Sequence, residues 1–144
     1  MVDELLTIKT ILTDGWDSDN TDSITPTIDE IFDQKELDLA NNDYVLLYST
    51  PKIIKPFNIG GTTFEHTSPV SIDIRTTYQS ATMGNVRAHA IKVRDEVERL
   101  LKANLSNPDG NFQLLIPLRC VDLSDKRIGI GRFIFDCHLI NWGT

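Results

Sequence analysis

Residues 70–101 constrain the fold of this chain most. From Val70 to Thr77, apolar Val70, Ile72 and Ile74 alternate with polar Ser71, Asp73 and Arg75, the two-residue period of a strand. Pro69 stands just before it, where a missing backbone donor does least harm to a sheet. A long amphipathic helix follows almost at once, from about Ala81 to Lys102. Met83, Val86, Ala90, Val93, Val97 and Leu100 recur at steps of three and four residues and form one apolar stripe. The other face carries Asp95/Arg99 and Glu98/Lys102 at four-residue spacing, acid first, the favourable order. A strand feeding into a helix, with strands on either side, indicates an α+β core.

The flanking segments extend this layout. Residues 3–13 predict a short amphipathic helix with Leu5, Ile8 and Leu12 on one face, Asp3 and Glu4 in its first turn, and Gly15 as a left-handed cap. Residues 16–27 read as an acidic loop closed by Pro26, and residues 28–40 fit a helical turn or a short strand equally well. Tyr44 to Ser49 is a strand, aromatic and aliphatic almost throughout. Pro51 to Pro69 is a long excursion holding Ile53, Ile54, Phe57, Ile59 and Phe64, too much apolar surface for a solvated linker. It predicts a β-ribbon turning at Gly60-Gly61, with apolar residues that need a partner surface. After the helix, Ser106 to Gly110 is a stop signal. Phe112 to Val121 then predicts a strand that Pro117 marks as an edge or a bulge. A polar turn over Ser124–Ile128 leads to a final strand, Gly131 to Trp142. The predicted class is α+β. About four long strands form a mostly antiparallel sheet with helices packed on one face, a β-β-α-β-β core after an N-terminal helix. The 144 residues fit a single domain over residues 1–144.

A net charge of −7 argues against nucleic-acid binding by phosphate neutralisation and against non-specific attachment to an anionic membrane. The opening MVDELLTIKTIL does not have the pattern of a signal peptide. Cys120 and Cys137, both in strand-like apolar segments, are therefore expected to be buried free thiols.

No local motif supplies chemistry. His66, His89 and His138 lie in a loop, a helix and a strand without shared spacing. Asp14, Asp17, Asp19 and Asp22 fail the EF-hand pattern, because Asp22 stands where Gly is required and Ile28 where Glu is required. They read instead as a solvated acidic loop or one that meets a basic neighbour. Gly129-Ile130-Gly131 precedes a strand, opposite to the dinucleotide fingerprint, and reads as a bend. Asp73 with Arg75, and Arg87 with Arg94, read either as local surface pairs or as an intersubunit set. Trp16 and Trp142 read as core-edge anchors, with an interface role open for Trp142. Neither a metal site nor a cofactor site is expected.

The whole order of segments resembles a known family. GWDSDNTDSITP after the first helix, SIDIRTT, RAHAIKVRDEVERLLKAN and the closing FIFDCHLINW carry the resemblance, over about residues 3–142. It is to the tail terminator and tail completion proteins of long-tailed bacterial and archaeal viruses. The resemblance implies a non-enzymatic subunit of a ring, typically a hexamer, on the head-proximal end of the tail tube. Its partners would be its own copies, the tail tube protein and the neck or connector protein. DNA would pass through the lumen without specific binding, and no membrane is involved. The place implied is the tail–neck junction of the virion, with the host cytoplasm during assembly. Six copies at −7 each carry −42, a field that repels DNA phosphates if it faces the lumen. The residues expected at subunit interfaces are Phe57, Ile59 and Phe64, then Arg75 and Trp142. Neck and head–tail joining proteins fit the same layout. Two readings of other classes stand beside it. One is a ligand-binding or regulatory domain of a cellular protein, with residues 51–69 as a lid. The other is a small enzyme using Asp73, His138 or His89, which requires those side chains to share one cleft.

Overall fold

A computed structural model describes residues 3–30, 43–56, 60–76, 83–125 and 129–143. The expectations for most of residues 28–40, for Phe57 and Ile59, and for the ends of elements at 77–82 and 126–128 fall outside the described residues. Among the described residues the chain is α+β, with two α-helices, α1 (Glu4–Gly15) and α2 (Met83–Ala103). Its strands are β1 (Thr27–Glu30), β2 (Asp43–Ser49), β3 (Ile53–Pro56), β4 (Phe64–Thr76), β5 (Leu114–Asp122) and β6 (Gly131–Gly143). They form one open, mixed six-stranded sheet in the order β1-β2-β4-β6-β5, with β3 beside the start of β4.

The expectation of about four strands is short by two. β1 and β3 are four residues each and lie in segments read as loop, ambiguous or excursion. β1 runs parallel to β2, whereas the other pairs are antiparallel. The excursion does form a ribbon: β3 pairs with Phe64–Thr67, and Gly60 and Gly61 both have positive φ near the turn. β4 accordingly starts at Phe64, six residues earlier than the alternation at Val70 suggests, and Pro69 lies inside it. The proline is tolerated because β3 pairs up to Thr67 and β2 from Val70, so Pro69 falls between two ladders. Its carbonyl accepts from Thr50 N on that side, which is where its missing N–H would point.

The core occupies one sheet face. Val45 and Leu47 of β2, Val70, Ile72 and Ile74 of β4, and Phe133, Phe135, Cys137 and Leu139 of β6 meet both helices. From α1 come Leu5, Ile8, Ile11 and Leu12; from α2 come Ala90, Val93, Val97, Leu100 and Leu101. Each large aliphatic side chain buried here contributes roughly 1.5–3 kcal/mol. Asp3 caps α1, accepting from the Leu5 and Leu6 amides at 2.9 and 3.2 Å.

Two glycines set how closely the layers approach. Gly15 is not a left-handed cap; it closes α1, and Trp16 leaves in an extended conformation. A Cβ at Gly15 would lie 2.5 Å from Leu100 Cδ2, so the glycine lets the side chain of α2 nest against the end of α1. At Gly131 a Cβ would lie 2.7 Å from Ala90 Cβ and 3.0 Å from the Val86 carbonyl. The bend expected at Gly129–Gly131 is present, with Gly129 at φ +67°.

The acidic loop is tied down by a buried acid. The Glu96 carboxylate is fully buried and accepts from Asp17 N (2.7 Å), Asn20 Nδ2 (3.1 Å) and Arg99. Asp22 pairs with Lys92. Arg99 therefore turns to Glu96 and not to the expected Asp95, which pairs with Arg94; Glu98–Lys102 forms as expected at 3.3 Å. Burial pushes the Glu96 carboxyl up, but Arg99, the Asp17 amide and Asn20 together outweigh it and hold the group below its ordinary value.

Gly131→Ala should destabilise the fold by about 1–3 kcal/mol in urea unfolding, because Ala90 and the Val86 carbonyl block the new methyl group. Glu96 has a depressed folded pKa. Its contribution is thus present above the unfolded value of about 4.3 and lost as pH falls through the lower folded value. Glu96→Gln should lower stability at pH 7 and flatten its pH dependence as pH falls below about 5; an unchanged acid limb would contradict this role.

Candidate functional site

The far end of the sheet, at β5, is where the fold leaves the most surface unspent. At the start of β5, Leu114 and Leu115 are covered, whereas Ile116 is already 38% exposed. Leu115 is buried and its amide donates to the Leu105 carbonyl at 2.9 Å, while Ser106 bridges to Leu114. The register then slips between Pro117 and Arg119, as the proline suggested. From Leu118 to Leu123 every residue is exposed, with Leu118, Val121 and Leu123 at 52%, 37% and 45%. Among the described residues, β5 pairs with β6 alone, so its outer edge carries no strand.

The helix layer stops short of this edge. Between α2 and β5 lies a groove of about 310 Å³ lined by Arg87, Arg94, Glu98, Cys120, Phe133 and Phe135. Arg94 stacks over the Phe133 ring at 4.9 Å and Arg87 bonds Asp122 at 3.1 Å, so a rim of paired charges, with Glu98 beside them, stands above an aromatic floor. Cys120 is exposed here, against the expectation that both thiols are buried; the tight layer ends one strand earlier, at β6. Cys137 does lie in the core, where burial, with a contribution from Asp136, pushes its thiol up to about 12.

On the sheet face away from the helices, a second groove of about 570 Å³ runs between β3 and β5. Its walls are Pro51, Ile53, Pro69 and Leu118, with Arg119 and His138 beside them. Ser71 Oγ donates to Asp136 Oδ1 at 2.9 Å, and Arg119 Nε donates to Asp136 Oδ2 at 2.7 Å. Farther along the same face, Arg75 and Arg132 stand directly opposite each other on β4 and β6. Two like charges in that position repel. Asp73, two residues before Arg75 and 1% exposed, accepts from both guanidinium groups at 2.8–3.0 Å.

The residues singled out from sequence do not converge. Phe57 and Ile59 lie outside the described residues. Phe64 is half-buried at the start of β4, opposite Pro56 and Gly143, and meets His66 edge to face at 6.5 Å. Trp142 lies on β6 opposite Glu65, its backbone amide donating to Gln113 Oε1 at 2.7 Å. Both belong to the β3–β4–β6 extension. Arg75 is at the other end of β4 and is held within the chain by Asp73. Asp73, His89 and His138 share no cleft: His89 bonds Asp43 from α2, whereas Asp73 and His138 lie on the face away from the helices. The exposed half of β5 was missed as a site. Its signal was Pro117 followed by LRCVDL, a run without the apolar–polar alternation of a half-buried strand.

Asp73→Ala should cost about 3–5 kcal/mol, because it leaves Arg75 and Arg132 facing each other without a carboxylate. Thermal and urea unfolding of Asp73→Ala, Arg75→Ala and the double variant would test this, the double being less damaged than the sum of the singles. Neither a scan of protein-family models nor a search of curated proteins finds a match to this chain.

Proposed function

We propose that this protein is a structural subunit that assembles into a ring, in the manner of the tail terminator and tail completion proteins it resembles. In that role it caps the tail tube and joins it to the neck or head connector. The observation that carries the reading is the bare half of β5. A strand edge with Leu118 and Val121 exposed on it and Leu123 exposed just past its end, beyond the reach of the helix layer, is a template for another chain. The β3–β4 ribbon adds a second contact surface, with Ile53 and Ile54 at 43% and 56% exposure and Phe64 and Trp142 at its base. Function by assembly also suits a chain of net charge −7 whose ring surrounds passing DNA. The finer arrangement, four long strands acting as the rigid centre of such a subunit, belongs to the same proposal.

A ligand-binding domain is the second reading. The groove beside β3 favours it, since Pro51 and Ile53 of the excursion form one wall, as a lid would. A ligand at 100-fold excess over its dissociation constant would then stabilise the fold by about 2.7 kcal/mol.

Native mass spectrometry and negative-stain imaging, with and without tail-tube subunits, should show closed rings, with six copies expected. Leu118→Asp with Val121→Asp should abolish the rings and change monomer stability by less than about 1 kcal/mol, since both side chains are solvent-exposed in the free chain. A protein that stays monomeric alone and with tube subunits would overturn the ring reading.

A further inference from the structure

The two ends of the sheet sit at the same level. Cross-strand partners form one row through Glu30 of β1, Leu47, Ile72, Phe135 and Cys120 of β5. The adjacent row runs from Asp29 through Leu46, Asp73 and Ile134 to Val121. The bare part of β5 is thus level with β1, at the opposite end of the strand order. β1 is parallel to β2 and β5 antiparallel to β6, so the two end strands run in opposite directions. Copies related by rotation about an axis along the strands would bring β1 of one beside β5 of the next, antiparallel and without vertical offset.

The two edges lead with charges of opposite sign, and Asp29, Arg87, Arg94 and Arg119 also pair within the chain, with Lys9, Asp122, Asp95 and Asp136. β1 presents Asp29 and Glu30 in succession. β5 and its groove present Arg119, 72% exposed, and Arg87 and Arg94 from α2, with the acids Asp122 and Glu98 beside them. Arg94 and Cys120 line one groove, on the face to which Glu30 belongs by its row. Arg119 lies two residues from Val121, the end of the Asp29 row, within diagonal reach across a strand pair. By contrast β3 is a poor edge for pairing, since it is four residues long and carries Lys55 and Pro56.

We infer that β5 of one copy is completed by β1 of a second copy, so that the sheet continues from subunit to subunit with Glu30 opposite Cys120 and the acids of β1 against the arginines of β5. The inference rests on the ring reading and names its interface. It is a heterologous contact, the kind that closes into a ring when the rotation permits.

The test uses the native Cys120. Glu30→Cys should give intermolecular disulfides under mild oxidation, since directly opposed Cβ atoms lie within about 1 Å of disulfide reach. Denaturing gels should show a ladder of covalent oligomers ending at the ring number, lost in Glu30→Cys/Cys120→Ser. Thr27→Cys should give at most a tenth of that yield. Independently, Glu30→Arg and Arg94→Glu should each weaken assembly at least tenfold, and the double variant should restore it to within threefold of wild type. Rings that form without cross-linking and without charge rescue would overturn this interface and leave the ring reading intact. A cross-link that survives Cys120→Ser would indicate β1 against β1 and also overturn it. Failure of the wild-type chain to assemble with or without tube subunits would remove the ring reading itself.

Discussion

The pairing of β4 with β6 is the interaction on which the rest of this structure depends. Thirteen consecutive residues, Phe64 to Thr76, face Gly143 to Gly131 without a break in register. Every other strand reaches the sheet through this pair: β2 and β3 attach to β4, β5 to β6, and β1 to β2. The ladder is long enough to serve two purposes. Its central and Thr76 end carries the core residues under α1 and α2, from Val70 to Ile74 and from Phe133 to Leu139. Its other end extends as the three-stranded β3–β4–β6 platform that supports the excursion. A one-residue slip would turn Ile72 and Phe135 out of the core and bring Asp73 and Ile134 in, so the register is strongly specified.

Two buried carboxylates stand on either side of that sheet and solve the same problem. Each is costly to desolvate and is retained because it joins elements that would otherwise separate. Glu96, inside the helix layer, gathers Asp17, Asn20 and Arg99 and so fixes the acidic loop to α2. Asp73, on the other face, holds two arginines that the β4–β6 register sets directly against each other. The ladder that forces Arg75 and Arg132 together also places Asp73 beside them, so repulsion and remedy come from one register. The acidic loop is thus a structural clamp with a basic neighbour in Lys92, consistent with its failure to match a calcium loop.

Periodicity made most of this fold legible. The stripe from Val86 to Leu100 and the alternation at Val70–Ile74 and Phe133–Leu139 point to buried positions because burial on one face imposes a period. The N-terminal part of β4 and the short β1 and β3 escaped for the converse reason. Phe64 to His66 are only half-buried, Thr67 and Ser68 are buried but polar, and Ile53 to Pro56 are exposed, so no apolar face marks these segments in the sequence. Local pairing was legible to within one turn of helix: Glu98–Lys102 forms, whereas Arg99 abandons Asp95 for a buried acid that a linear pattern cannot reveal. The candidate site was the least legible part. Aromatic content drew attention to the excursion, while the exposed surface on β5 comes from how far the helix layer reaches across the sheet, a tertiary fact.

That mismatch between helix layer and sheet carries the functional argument furthest. A chain that needs only to be stable gains by covering or blunting an exposed edge, and this one does so elsewhere. β3 is short and ends in Lys55 and Pro56, and the first residues of β5 are closed by Leu105 and Ser106. The protection stops at Pro117, and six exposed residues follow. On their helix side an aromatic-floored groove is open, and its rim carries Arg87 and Arg94 beside Asp122 and Glu98. Selective exposure of one edge at the level of the strand closing the other end is what a repeating contact requires. A bare edge without a partner would be an aggregation hazard, whereas a ring removes every such edge at once, as closure does in a barrel.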